Sequence, residues 1–274
     1  MRPLAQLAPD VRSRARAVLF DIDDTLTTDG RLTAEAYSAL ERLQDARLLV
    51  IPITGRPAGW CDHIARMWPV DGVVGENGAF YFLYDRSRRR MTRAYAHDEE
   101  TRALNRQRIE GVARHILEAV PGAAIAADQH YRETDLAIDF CEDVPLLSAH
   151  AIDTIASLMR EHGMTAKVSS IHVNGWYGNY DKLTMTRRLL AECHDFALAE
   201  ERERAIFIGD SPNDAPMFAF FPYAIGVANV RDALSRLTHE PAYVTRASCG
   251  AGFREAADFI LAAKTPRVSK GSRT

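Results

Sequence analysis

The sequence has no apolar stretch approaching the ~18 consecutive residues of a membrane-spanning helix, so no span is expected. It has only 4 cysteines, Cys61, Cys141, Cys193 and Cys249, far apart and never in a Cys-x-x-Cys pair. That spacing argues against a zinc site and a disulfide framework and fits a reducing cytoplasm. Charge of one sign is lacking too. With 34 lysines and arginines against 37 aspartates and glutamates, the net charge of -3 leaves no basic footprint for nucleic acid. There is no internal repeat and no low-complexity segment. Met1 to Arg16 carries arginines but no apolar core of a secretory signal, so none is expected. The histidines at 63, 97, 115, 130, 150, 162, 194 and 239 show no paired ligand spacing. The tail from Lys264 to Thr274 reads as a solvated end.

What is present is a chain of 274 residues, 47% hydrophobic, with room for one large or two modest domains. Its most telling segment is Val18-Leu19-Phe20-Asp21-Ile22-Asp23-Asp24-Thr25-Leu26, an apolar strand running straight into carboxylates. Two such charges ~4 Å apart repel by about 4 kcal/mol at an effective dielectric near 20. Something positive belongs there, and a hard cation with oxygen ligands, Mg²⁺ first, fits best. Phosphoryl chemistry is therefore the first expectation.

Two further apolar runs end in polar clusters. Leu48 to Ile53 leads into Thr54-Gly55-Arg56, and Ala205 to Gly209 leads into Asp210-Ser211-Pro212-Asn213-Asp214. Short continuous runs predict strands covered on both faces of a parallel sheet, whose carboxyl ends share one ligand-binding edge. Helical stripes alternate with them: Ala36, Leu40 and Leu43 behind a Thr33 cap, and Phe253, Ala256, Ala257, Ile260 and Leu261. Further strands are expected at 72–75, 223–227 and 242–245. Between about Phe80 and Asn174 the pattern changes. Leu136, Ile138 and Phe140 alternate with Ala137 and Asp139, predicting a strand with one wet face, and two helical stripes run from Ile109 to Val120 and from Ile152 to Met159. The fold expected is α/β: a Rossmann-like doubly wound core, residues 1–80 plus 175–274, with an inserted α+β cap over 81–174.

Taken in order, the clusters resemble the haloacid dehalogenase superfamily across nearly the whole chain. Asp21-Ile-Asp23-Asp-Thr25-Leu is similar to its first motif, Thr54-Gly55-Arg56 to the second, Lys182 to the third and Gly209 to Asp214 to the fourth. The insertion after Glu76-Asn77-Gly78-Ala79 resembles the type II cap of subfamily IIB, a group of sugar phosphatases. The resemblance implies a Mg²⁺-dependent phosphatase for a small phosphorylated metabolite, expected to be a sugar phosphate. It implies that Asp21, the carbonyl of Asp23 and the carboxylate of Asp210 hold the metal, with Asp214 in support.

Asp21 would attack phosphorus to give an aspartyl phosphate, and Asp23 would protonate the leaving alcohol and later activate water. An acid at that second position resembles the phosphatases more than the transport ATPases. Thr54 and Lys182 complete the catalytic set, and Thr54, Gly55, Arg56, Asn77, Lys182 and Asn213 are candidate substrate contacts. Arg56 either reaches substrate or covers the surface; Ser211 and Asn213 orient the neighbouring acids or offer amides. Asp24 reads as a turn residue without chemistry. The stretch from His172 to Tyr180 is either a sugar-binding wall or an interdomain hinge. A phosphomutase is the nearest alternative, and a receiver-like or metabolite-binding protein a remote one. Oligomeric state is not legible.

Overall fold

The computed structural model describes residues 1–169 and 171–264; the tail expectation, past Lys264, lies outside the described residues. Six strands pair in parallel in the order Arg2–Pro3, Tyr243–Val244, Ile225–Gly226, Ala205–Gly209, Ala17–Phe20, Leu49–Pro52. Alternate residues of the inner strands enter different hydrophobic clusters. Val18, Phe20, Val50, Ile206 and Ile208 pack with helices Ala34–Asp45, Ala58–Met67 and Cys249–Leu261. Ala17, Leu19, Ile51 and Phe207 pack with Lys182–Cys193 and Ala215–Phe220 on the opposite face. Both faces are covered, so the strands carry unbroken apolar runs. Thr33 caps its helix as expected, accepting from the Ala36 amide. This is the doubly wound core read from the sequence. The edge strand Arg2–Pro3 was not foreseen, because two residues with a proline carry no strand pattern; proline is tolerated there because an edge leaves one backbone side unpaired.

Strand order places the three polar clusters together. Ala17–Phe20 lies between Ala205–Gly209 and Leu49–Pro52, so the chain turns one way after its first inner strand and returns later on the other side. Ligands bind at such a switch point, outside the carboxyl ends of the strands. Main-chain bonds continue past the strand ends, from Asp21 N to Ile208 O at 3.0 Å and from Ile53 N to Phe20 O at 2.7 Å.

The cap sheet is antiparallel, in the order Ala124–Ile125, Asp135–Asp139, His172–Trp176, Thr165–Val168. Helices Glu99–Ala119 and Ala149–Glu161 cover one face, where Ile109, Val112, Ile116, Ile155 and Met159 meet Leu136, Ile138 and Val173. The opposite face, expected to be wet, is buried as well: Asp135, Ala137, Asp139, His172, Asn174 and Trp176 are all closed from solvent. That expectation is corrected. The alternation is polar because this face lies over the core's carboxylates, not because it meets bulk water.

Packing also moves the expected boundary at residue 81. Strands Phe80–Asp85 and Arg90–Tyr95 extend Val73–Gly75, which bridges to the core through Ile53 and Val74. Phe80 and Phe82, stacked at 4.4 Å, belong to a core cluster, whereas Tyr177 belongs to the cap's. We propose an insert of about residues 98–177 in place of 81–174. Among the described residues no helix is long and apolar enough to cross a membrane.

Candidate active site

One oxygen each from Asp21, Asp210 and Asp214 lies within 4.8 Å of the others, and all three residues are buried. Lys182 is the cation facing them, its Nζ 2.8 Å from Asp21 Oδ2 and 2.8 Å from Asp214 Oδ1. It is the first residue of its helix, which Asp181 caps by accepting from the Thr184 amide. Asp21 Oδ1 accepts from the Ile22 amide at 2.7 Å; Asp210 Oδ1 accepts from the Thr25 hydroxyl at 2.7 Å. Asp214 Oδ2 accepts from the amides of Asp210 and Ser211. Gly209 permits this, since a Cβ there would stand 2.5 Å from Asp214 Oδ2.

Electrostatics leave this cluster short of positive charge. Burial pushes the Asp21 carboxyl up to about 7; Lys182 pulls it back, while Asp214 and Asp23 add to the push. Asp210 is driven up by burial, then by Asp214 and Asp21. Burial also opposes the charge of Lys182, but Asp21 and Asp214 outweigh it and hold the ammonium above its ordinary range. One ammonium does not neutralise three converging acids. All-oxygen donors of like charge, converging and buried, suit a hard divalent cation such as Mg²⁺.

Asp23 is placed differently from that trio. Its carboxylate is gripped by Arg56, with Nε at 3.0 and 3.1 Å from its two oxygens and Nη2 at 2.8 Å. Arg56 is buried, so the surface-cover alternative is excluded. It bridges to the cap, Nη2 reaching Glu142 Oε1 at 2.8 Å. His172 Nε2 lies 2.9 Å from Glu142 Oε2, an ion-pair distance without hydrogen-bond alignment. His172 and Arg56 together hold the Glu142 carboxyl down to about 2, against the effect of burial.

Asp21, Asp23, Gly55, Arg56, Ser211 and Asn213 from the core enclose a cavity of about 20 Å³ with Arg132, Ser169, Ile171, His172 and Asn174 from the cap. That holds a water but not a phosphate ester. Thr54, Asn77, Lys182, Asp210 and Asp214 are not among its lining residues. The Thr54 hydroxyl accepts from the Arg56 amide at 3.0 Å, and Asn77 Nδ2 is buried against Gly55 without a hydrogen-bond partner. Asp24 has a left-handed backbone (φ 55°) and serves the turn, donating its amide to Thr27 and accepting from Asn229.

The His172–Tyr180 stretch is divided between the cavity and the core. His172 and Asn174 line the cavity, while Trp176 stacks on Tyr180 in the core cluster. Sequence reasoning missed Arg132, Glu142, Glu76 and Asn229. The acids around Arg132, at 128, 133 and 135, were the available signal, though such runs usually mark a solvated surface.

A family model for haloacid dehalogenase-like hydrolases matches residues 15–221. The chain belongs to that family. As a haloacid dehalogenase-like hydrolase it is similar to a phosphoglycolate phosphatase of Pyrobaculum neutrophilum, 28% identical over 249 residues, covering 90% of this chain and 96% of that one. In fold this hydrolase matches the crystal structure of Thermoplasma acidophilum 0175, with a TM-score of 0.67 and 16% identity over 90% of this chain and 98% of the other. It also matches the sucrose-phosphatase of Synechocystis sp. PCC6803, with a TM-score of 0.61, 16% identity, and coverage of 90% and 98%.

Proposed function

We propose that this hydrolase is a Mg²⁺-dependent phosphatase of a small phosphorylated metabolite, working through an aspartyl phosphate on Asp21. The observation that carries the reading is the convergence of Asp21, Asp210 and Asp214 on one buried point beside Lys182. Asp21, the carbonyl of Asp23 and Asp210 would hold the cation, and Asp214 would support them. Bound Mg²⁺ supplies charge neutralisation and polarises phosphoryl oxygens.

The other steps belong to the chain's own residues. Asp21 attacks phosphorus once its carboxylate is free, and Lys182 steadies the negative charge that builds on the phosphoryl oxygens. Thr54 has a hydroxyl proton to donate to the same group. Asp23 protonates the leaving oxygen and then takes a proton from the attacking water. For that it must leave Arg56, whose two-pronged grip occupies both of its oxygens. Substrate entry therefore requires the cap to lift and the Arg56–Glu142 contact to part.

For the substrate we favour a short phosphorylated acid, 2-phosphoglycolate above all. The curated relatives covering 90% of the chain carry that activity in their names, and the cavity is tight and bordered by Arg56, Arg132 and His172. The expected sugar phosphate is the second reading; likeness to the sucrose-phosphatase at 16% identity supports the fold alone. Purified protein with Mg²⁺ should be offered 2-phosphoglycolate, glucose 6-phosphate and trehalose 6-phosphate while free phosphate is measured. Fastest release from 2-phosphoglycolate is expected. Faster release from a sugar phosphate would reverse the preference, and phosphoryl transfer to a second hydroxyl without free phosphate would favour a mutase.

A further inference from the structure

Glu76 is a core residue, fully buried, and its side chain is spent almost entirely on the cap. Its Oε1 accepts from the Glu133 amide at 2.9 Å and from the Ala58 amide, at the start of a core helix, at 3.0 Å. Its Oε2 accepts from the Thr134 amide at 2.7 Å, the Thr134 hydroxyl and the Asp135 amide at 3.3 Å. Three consecutive amides of one cap segment thus close around one core carboxylate.

That segment carries the cap's polar contribution to the cavity. Arg132, immediately before it, donates to the Gly55 carbonyl at 2.9 Å and is held by Asp128 and Asp135. Asp135, its last residue, accepts from Asn174 Nδ2 at 3.0 Å. Arg132 and Asn174 both face Asp21 and Asp23 across the cavity. The backbone of Glu76 is left-handed (φ 42°), a conformation rare for a non-glycine residue, which aims its side chain at the cap.

Building on the phosphatase reading, we propose that Glu76 is a positioning residue: by holding the amides of Glu133 to Asp135 it seats the cap and sets Arg132 and Asn174 against the substrate's leaving group. The Glu76→Gln side chain has the same shape but turns one acceptor into a donor. Every group around it is itself a donor, so either orientation of the amide opposes an N–H.

The test compares wild type and Glu76→Gln, each with Mg²⁺, on 2-phosphoglycolate and acetyl phosphate. Acetyl phosphate has a good leaving group that needs neither protonation nor cap contacts. We expect kcat/KM for 2-phosphoglycolate to fall about 10- to 100-fold, mostly in KM, with acetyl phosphate changed by less than about 3-fold. Hydrogen exchange at residues 133–135 should speed up by about ten-fold or more while helix Ala34–Asp45 stays protected. Thr134→Val, which removes only the hydroxyl, should shift both readouts the same way by less. Equal losses on the two substrates, or unchanged exchange at 133–135, would overturn the assignment. If the wild type hydrolyses neither compound the phosphatase reading fails, and the exchange measurement still decides whether Glu76 seats the cap.

Discussion

Two sets of buried carboxylates face each other across the interdomain space, and they are stabilised in different ways. On the cap, Asp139 accepts from the amides of Cys141, Glu142 and Asp143 at 2.7–2.9 Å. On the core, Asp21, Asp210 and Asp214 converge, and one lysine pairs with Asp21 and Asp214. The first acid is isolated among amides of its own loop and builds structure; the second kind also accepts hydrogen bonds, but burial and mutual repulsion crowd three like charges at one point. Sequence composition does not distinguish them, but the crowding of like charge does.

The comparison breaks first on activity. Asp21→Asn should lower kcat by about 10⁴-fold or more, as loss of a nucleophile does in other hydrolases, with the circular dichroism spectrum unchanged. Chelation of Mg²⁺ should abolish phosphate release, and added Mg²⁺ should restore it. Near-normal turnover by either preparation would remove the convergent acids from the chemistry.

It breaks next on stability. Asp139→Asn turns a donor toward at least one of three amides, which should cost about 1–3 kcal/mol in urea unfolding. Asp210→Asn, measured in chelator, should change stability by less than about 1 kcal/mol, because the repulsion it removes offsets the long 3.3 Å bond its Oδ2 accepts from Asn229 Nδ2, while the Thr25 hydroxyl keeps an acceptor. Two substitutions of identical chemistry are thus expected to differ in their effect on stability. A loss from both would mean that the core acids, too, are structural.

The core was legible because each informative residue sits at the end of an apolar strand, where pattern and position coincide. Val18 to Asp21, Ile53 to Thr54 and Ile208 to Asp210 needed only the rule that parallel strands present their ends on one edge. The cap was legible in its helices, since Ile109 to Val120 and Ile152 to Met159 follow a single period. Its inner face was misread because Asp139, alternating with Leu136, Ile138 and Phe140, looks in sequence like a residue bound for water. Period-two alternation reports two different environments, not which of them is solvent. Arg132 and Glu142 were invisible because each acts through a partner far away in the chain, at Gly55 and at Arg56.

The smallest expected effect concerns closure. Glu142 is faced by Arg56 from the core, itself paired with Asp23, and by His172 from the neighbouring cap strand. Its carboxyl titrates at about 2 when the cap is closed, below the ordinary ~4.3 expected once it is free in water. A depressed value means that ionised Glu142 favours closure: the contribution is complete above pH ~4.5 and lost as pH falls toward about 2. Glu142→Gln should therefore lower KM for 2-phosphoglycolate by roughly 2- to 5-fold at pH 7, since the contact it weakens must part before substrate enters and is the modest one of a partly exposed ion pair. Followed by hydrogen exchange at residues 141–143, wild type and variant should differ above pH ~4.5 and converge as the medium is acidified. A difference that persisted unchanged to pH ~2.5 would mean that Glu142 holds the cap by shape and not by charge.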